Sequence, residues 1–467
     1  MHRLIIPIVL SFITAYATAQ LSYTLTYQDT VSGKIKVYID LGKEQKTPIS
    51  FIMPRSVPGG HAIFIYDKFI DKISCLDKKG MHFSMTKDVN DAPRWYFRDS
   101  GKAITGLTYE VDLKKMETQL APGDASIVRK GFAGLLNYSI FGWIEGTEKE
   151  PVSCTVETMA SWPIFTSTHP SVSLEKGRLK FNTADYYSLA DGQIFMGDRF
   201  RVKKFEGLLP LFVASYSETG DEYLDDYGLQ GTMSMGILKD YFGELPFKEY
   251  TILLRNAIPP VPGSAPTLAM EHLQSATFFG DTAGIRKKQM SKEELIASMP
   301  TYLHHMAHSL IPLRSYGDAY RPYVMEIPPI INNIWFNEGF MWFLPCDTLK
   351  LERLKKVFYY NVYNTTAIIK KMSLQELSQI GSTMYGVDFR IGRAIYSRGA
   401  MMAMEMNAYL KEKTRGQKSM KDVLRFIYRW SKENKRAFTL DEFPLLINQA
   451  AGIDLSGIYR KWQLPIE

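Results

Sequence analysis

The hydrophobic pattern changes character along this 467-residue chain, and that change limits what it can fold into. From residue 20 to about 200, short runs rich in β-branched and aromatic residues alternate with turn residues, at 21–28, 34–39, 106–113, 153–158 and 178–182. That spacing predicts an antiparallel β domain arranged as a sandwich. From Ser291 onward helical signals dominate. Ser291-Lys292-Glu293-Glu294 has capping-box spacing, Ser419 to Asp422 and Thr439 to Glu442 open two further helices, and Gly452 is placed to end the last one. Pro300 is placed to open a helix and Pro312 to close it. Between these regions, strand-like runs at 208–216 and 250–255 flank a helix-like run around 233–242. The expected fold class is α+β: an N-terminal β-sandwich over 20–200, then a domain over 201–467 with an α/β start and a helical remainder. With 45% apolar and 13% aromatic residues, the chain can bury more than one core.

Residues 1–19 carry an early Arg3, an apolar run over 4–13 and the small residues Ala17-Thr18-Ala19. This is the form of a secretory signal peptide cut after Ala19. The run is too short to span a bilayer, and no later segment offers about eighteen uninterrupted apolar residues. The expectation is an exported protein with no membrane span, in a Gram-negative periplasm or secreted beyond it. No cysteine follows the cleavage region, so no lipid anchor is expected. The 56 basic and 49 acidic residues give a pI near 8.9. The densest basic stretch, 411–436, fits solvated helix faces, so no nucleic-acid partner is expected. Cys75, Cys154 and Cys346 lack the paired spacing of a zinc-binding motif. One bridge, such as Cys75 with Cys154, stays open, and so does the oligomeric state.

The chemistry concentrates in His304-His305-Met306-Ala307-His308, which holds three of only eight histidines. On a helix, His304 and His308 share a face and can reach one ion. Glu338, thirty residues after His308 within Trp335-Phe336-Asn337-Glu338-Gly339-Phe340, is placed to supply a third ligand. In the intact His-Glu-x-x-His pattern, the residue after the first histidine is a glutamate that acts as general base. Here that position is His305. Taken alone, a His-x-x-x-His pair is more often a polar pair on an amphipathic helix; the clustering of histidines argues instead for metal chemistry, with one zinc ion.

These residues, their spacing and four further segments resemble the glycyl aminopeptidase family of gluzincin zinc metallopeptidases. Met53-Pro54-Arg55-Ser56-Val57-Pro58-Gly59-Gly60 resembles the family's MPxWxPGxY segment, and Tyr241 through Tyr250 its FGxLPFxxY segment. Ala269-Met270-Glu271-His272 resembles the GGLEH strand, and Tyr396-Ser397-Arg398-Gly399-Ala400 the YxKGA helix start. The resemblance spans about residue 21 to the C-terminus. It implies a thermolysin-like second domain, zinc held by His304, His308 and Glu338, a peptide's amino terminus held by Glu271, and an oxyanion stabilised by the Tyr396 hydroxyl. Nothing in the sequence decides whether His272 supports that site or is only a satisfied polar residue. The chain departs from the family at Leu268 and Ala269, where glycines are usual, at His305, and in lacking room for the PDZ domain that many relatives carry.

Hydrolysis needs a base to take a proton from water and return it to the leaving amine, and loss of one typically forfeits about 10² to 10⁴ in rate. An imidazole beside a dication is a weak substitute for a carboxylate. The resemblance therefore implies an exported zinc-binding protein of this family whose peptidase activity is weak or lost. Two alternatives stay open: an aminopeptidase acting on peptides with small N-terminal residues through His305 or another group, and a non-enzymatic pseudopeptidase that binds peptides.

Overall fold

The computed structural model describes residues 20–172, 174–220, 222–258, 269–280, 288–318, 320 and 323–466. The segment 1–19, expected to be a signal peptide, and Leu268 lie outside them. The fold is α+β, with the β-rich half first and the helical half last.

Residues 20–199 form three sheets. The largest has seven strands in the order Arg178–Thr183, Val152–Glu157, Leu21–Thr26, Lys34–Lys46, Ala103–Asp112, Ile70–Leu76 and His82–Ser84. Its strands alternate buried and partly exposed residues, as in Leu21–Thr26, so one face packs inward. All of its pairings are antiparallel except one: Leu21–Thr26 runs parallel to Val152–Glu157, a departure from the purely antiparallel expectation. A four-stranded and a five-stranded sheet complete this half. Cys75 and Cys154 lie on strands of the large sheet with three others between them, which puts them about 19 Å apart at the usual strand spacing. A disulfide cannot bridge that gap, and all three cysteines are free and buried.

A fourth sheet has the order Phe200–Phe205, Leu211–Ser217, Tyr250–Asn256, Ser275–Gly280 and Ala269–Glu271. Its three middle strands are parallel, and the helix Leu224–Phe242 makes the first crossover. Tyr250–Asn256 is buried at every position, as a central parallel strand covered on both faces requires. Ala269–Glu271 is the edge strand, paired antiparallel to Ser275–Gly280.

The helix that carries the histidine cluster, Lys292–Ala307, begins at the Ser291 capping box, where Glu294 N–H donates to Ser291 Oγ and Ser291 N–H to the Glu294 carboxylate. It runs through Pro300 rather than starting there. Leu295, Met299, Leu303 and Ala307 form a buried stripe at four-residue spacing, and its packing outweighs the backbone hydrogen bond that proline removes. The helix ends at Ala307, before Pro312. The Ser419 box and the Thr439–Glu442 pairing open Met420–Asn434 and Glu442–Ala451 as expected. Gly452 ends Glu442–Ala451 in a left-handed conformation, but one more helix, Ser456–Gln463, follows. No helix among the described residues is long and apolar enough to cross a membrane.

Candidate metal centre

Three separate elements bring the histidine cluster together with two carboxylates. His304 and His308 lie one turn apart at the end of their helix, with Nε2 atoms 3.0 Å from each other. Glu338 comes from a short π-helical turn, Trp335–Phe340, that leads into the helix Met341–Thr348. Its Oε2 lies 3.5 Å from His304 Nε2 and 3.8 Å from His308 Nε2. All three side chains are buried. Four donors about 2.0–2.1 Å from a zinc ion stand about 3.3 Å apart along the edges of a tetrahedron, so these spacings fit that ion.

The surroundings prepare the donors for a cation. His308 Nδ1 lies 2.9 Å from the Ile311 carbonyl oxygen, which can only accept. The Nδ1 proton is thereby fixed, and the Nε2 lone pair faces the cluster. The His304 ring stacks on Trp342 at 4.2 Å, and its buried Nδ1 has no hydrogen-bond partner among the described residues. Burial, and then neighbouring His308, hold the His304 imidazole neutral down to about pH 3. Burial opposes a charge on Glu338, yet the His308 and His304 imidazoles keep it ionised well below the usual carboxylate range. Neutral imidazoles and an ionised carboxylate are the forms that bind zinc.

His305 stands beside this trio, its ring 4.9 Å from that of His304 and 5.8 Å from that of His308. Its Nδ1 lies 3.4 Å from Glu271 Oε2, and its ring sits edge-on to Phe278. Glu271 occupies the edge strand and is buried. Burial raises its pKa, but His308 and His305 outweigh that and lower it to about 2. Glu271, His308 and Glu338 offer donor atoms within 4.8 Å of one another, and so do His304, His305 and His308. Glu271 also packs on the backbone turn at Gly59, where a Cβ would come within 2.3 Å of its Oε1. The left-handed φ of 80° at Gly59 makes the same demand for glycine.

Tyr396 stands one ring removed. It packs on Trp342, the residue stacked on His304, and on Phe358 and Phe389. His272 faces elsewhere: its Nδ1 is 3.2 Å from Asp191 and its Nε2 is 2.7 Å from Gln193, so it is a satisfied buried residue joining the two halves.

Two residues missed from the sequence belong to the centre. His61 directly follows the Met53 to Gly60 segment, and its Nε2 lies 3.4 Å from Glu338 Oε1. The Tyr385 ring lies tilted against that of His61 at 5.4 Å, and burial, with Glu338 nearby, holds its phenol protonated. The position of His61 at the end of a recognised segment was an available signal. For Tyr385 no local pattern exists.

Comparison with known proteins agrees with this architecture. Residues 22–198 match the model of the peptidase M61 N-terminal domain. A search of curated proteins finds no significant match. Among solved structures, an aminopeptidase N family protein from Idiomarina loihiensis superposes with a TM-score of 0.80 at 17% identity, over 96% of this chain and 76% of that one. A glutamate-to-alanine mutant of an M1 zinc metallopeptidase from Deinococcus radiodurans superposes with a TM-score of 0.58 at 13% identity, over 96% of each chain. The same enzyme mutant bound to a Tyr-Ser-Ala substrate matches at 0.58 and 13%, over 96% of this chain and 94% of that one. At these identities the likeness is one of fold. The chain therefore shares its fold with these metallopeptidases, and its residues 22–198 match the peptidase M61 N-terminal domain.

Proposed function

We propose that the protein is an exported, zinc-binding member of the glycyl aminopeptidase-like metallopeptidases in which peptidase activity is weak or lost. His304, His308 and Glu338 would hold the ion, which when bound supplies Lewis acidity. The observation that carries the reading is the position of His305. It stands where the general base belongs and is turned onto Glu271, so the carboxylate suited to a substrate's amino terminus already has a partner. Glu271 is itself a poor replacement base, because a group that stays ionised down to about pH 2 has little affinity for a proton at neutral pH. Tyr396, assigned to an oxyanion, is packed among Trp342, Phe358 and Phe389. The helix and sheet geometry is kept, so a peptide remains the natural ligand.

Zinc analysis and hydrolysis of aminoacyl reporters by the purified protein and its His304→Ala variant test this reading. The expected result is one zinc per chain in the native protein, loss of that zinc in His304→Ala, and equally slow hydrolysis by both. Zinc-dependent cleavage by the native protein that disappears in His304→Ala would replace this reading with a working aminopeptidase that uses His305 or another group as base. Export is checked separately: the periplasmic or secreted fraction should contain a chain that begins at Gln20.

A further inference from the structure

We propose that His61 is a fourth donor to the metal, so that His61, His304, His308 and Glu338 enclose the ion and join the N-terminal β half to the helical half. This rests on the zinc-binding reading above and adds a residue from outside the helical half.

His61 is buried, and among the described residues neither of its ring nitrogens has a hydrogen-bond partner. A neutral imidazole carries one N–H and one lone pair, and leaving both unmet in the interior is costly. A cation on the lone pair removes half of that cost. The Nε2 lies 3.4 Å from Glu338 Oε1, the second oxygen of the carboxylate whose Oε2 faces His304 and His308, so the ring stands on the other side of the same carboxylate.

The backbone is arranged to deliver this ring. His61 has a φ of 41°, a left-handed conformation that a histidine adopts under constraint and that is common at functional sites. The loop before it is tied to the second half by hydrogen bonds from Arg55 and Ser56 N–H to the Met325 carbonyl oxygen, at 2.8 and 2.9 Å. The Tyr323 hydroxyl donates to the Val57 carbonyl oxygen at 2.5 Å, and Ser56 Oγ lies 2.6 Å from it. Tyr385 supports the ring's face.

Three imidazoles and a carboxylate make four protein donors, the number found in structural rather than catalytic zinc sites. A closed site agrees with the absence of a carboxylate base at position 305, since a centre that does not activate water needs neither. The metal class is a borderline divalent ion, with zinc the best fit to nitrogen-rich tetrahedral donors.

X-ray absorption at the zinc edge, together with chelator competition, tests the proposal on the native protein, His61→Phe and His61→Cys. Three imidazoles are expected in the native protein and two in His61→Phe. Zinc binding by His61→Phe should weaken by more than the roughly 10- to 100-fold typical of losing a residue that only supports a ligand. His61→Cys should regain binding and show a sulfur donor at about 2.3 Å. Melting of the three zinc-free proteins identifies a folding defect, in which case the cysteine variant decides. Two imidazoles in the native protein, or unchanged affinity in His61→Phe, would overturn the proposal while leaving zinc on His304 and His308. Native protein without zinc would overturn the reading beneath it as well.

Discussion

The Asp67 side chain has no exposed surface, and it meets the fork of Arg55 at 2.8 and 2.7 Å and Lys87 Nζ at 2.7 Å. Burial opposes its charge, but Arg55 and Lys87 outweigh burial and hold its pKa below the ordinary value. Burial also lowers the Lys87 pKa, so the guanidinium, which does not deprotonate, is the dependable counter-charge. Asp67→Asn leaves that guanidinium short of its partner and should cost about 3–5 kcal/mol by urea denaturation. A carboxylate with a depressed folded pKa stabilises fully above its unfolded pKa of about 3.9 and loses the effect as pH falls through the folded value. The native protein should therefore lose stability below about pH 4, and Asp67→Asn should lack that part of the acid dependence. None of this pairing is legible in the sequence, because residues 55, 67 and 87 converge only when the loop before His61 folds back on its own sheet. His304 and His308 are the opposite case, since a four-residue spacing on a helix fixes a common face without reference to the rest of the chain.

The elements that carry the candidate metal centre depend on close approach of backbones. A Cβ on Gly399 would lie 2.3 Å from the Trp335 carbonyl oxygen, and one on Gly339 would lie 2.5 Å from Gly399 Cα. The π-helical turn that presents Glu338 is thus seated directly on the long helix Phe389–Lys413. This contact gives the glycines of the Trp335–Phe340 and Tyr396 to Ala400 segments a physical role. Gly399→Ala should destabilise the protein by about 1–3 kcal/mol in thermal or denaturant unfolding, and it should lower zinc affinity because Glu338 moves with the turn. The same helix holds Arg398, a buried guanidinium that donates to the carbonyl oxygens of Met372, Trp462 and Leu464 at 2.8, 2.9 and 2.5 Å. Arg398→Lys cannot reproduce three divergent bonds, so amide exchange in Ser456–Gln463 should accelerate while the rest of the protein keeps its protection. The capping boxes at Ser291 and Ser419 were readable from four consecutive residues. The length of the metal-site helix was not, since Pro300 marks a start locally and only the buried stripe on both sides of it shows that the helix continues.

Across the whole molecule, the centre lies where the β half meets the helical half. Arg94 reaches over to pair with the Glu326 carboxylate, and Gln193 and Asp191 grip His272. A ligand that binds only the assembled state stabilises it by mass action, about 2.7 kcal/mol at a free concentration 100 times its Kd. Zinc should therefore raise the unfolding free energy of the native protein by about that amount at such an excess, and should leave His304→Ala unmoved in the same calorimetric scan. The order of the halves, the α+β class and the common face of His304 and His308 were determined by the sequence itself, because periodicity, capping and helical spacing act over a few residues. Tertiary structure decided the direction of His305 onto Glu271, the arrival of His61 and Tyr385 at the centre, the parallel pairing in the large sheet and the separation of Cys75 from Cys154. Each of these depends on contacts between residues distant in the chain, which hydrophobic packing and loop closure fix only once the halves have come together.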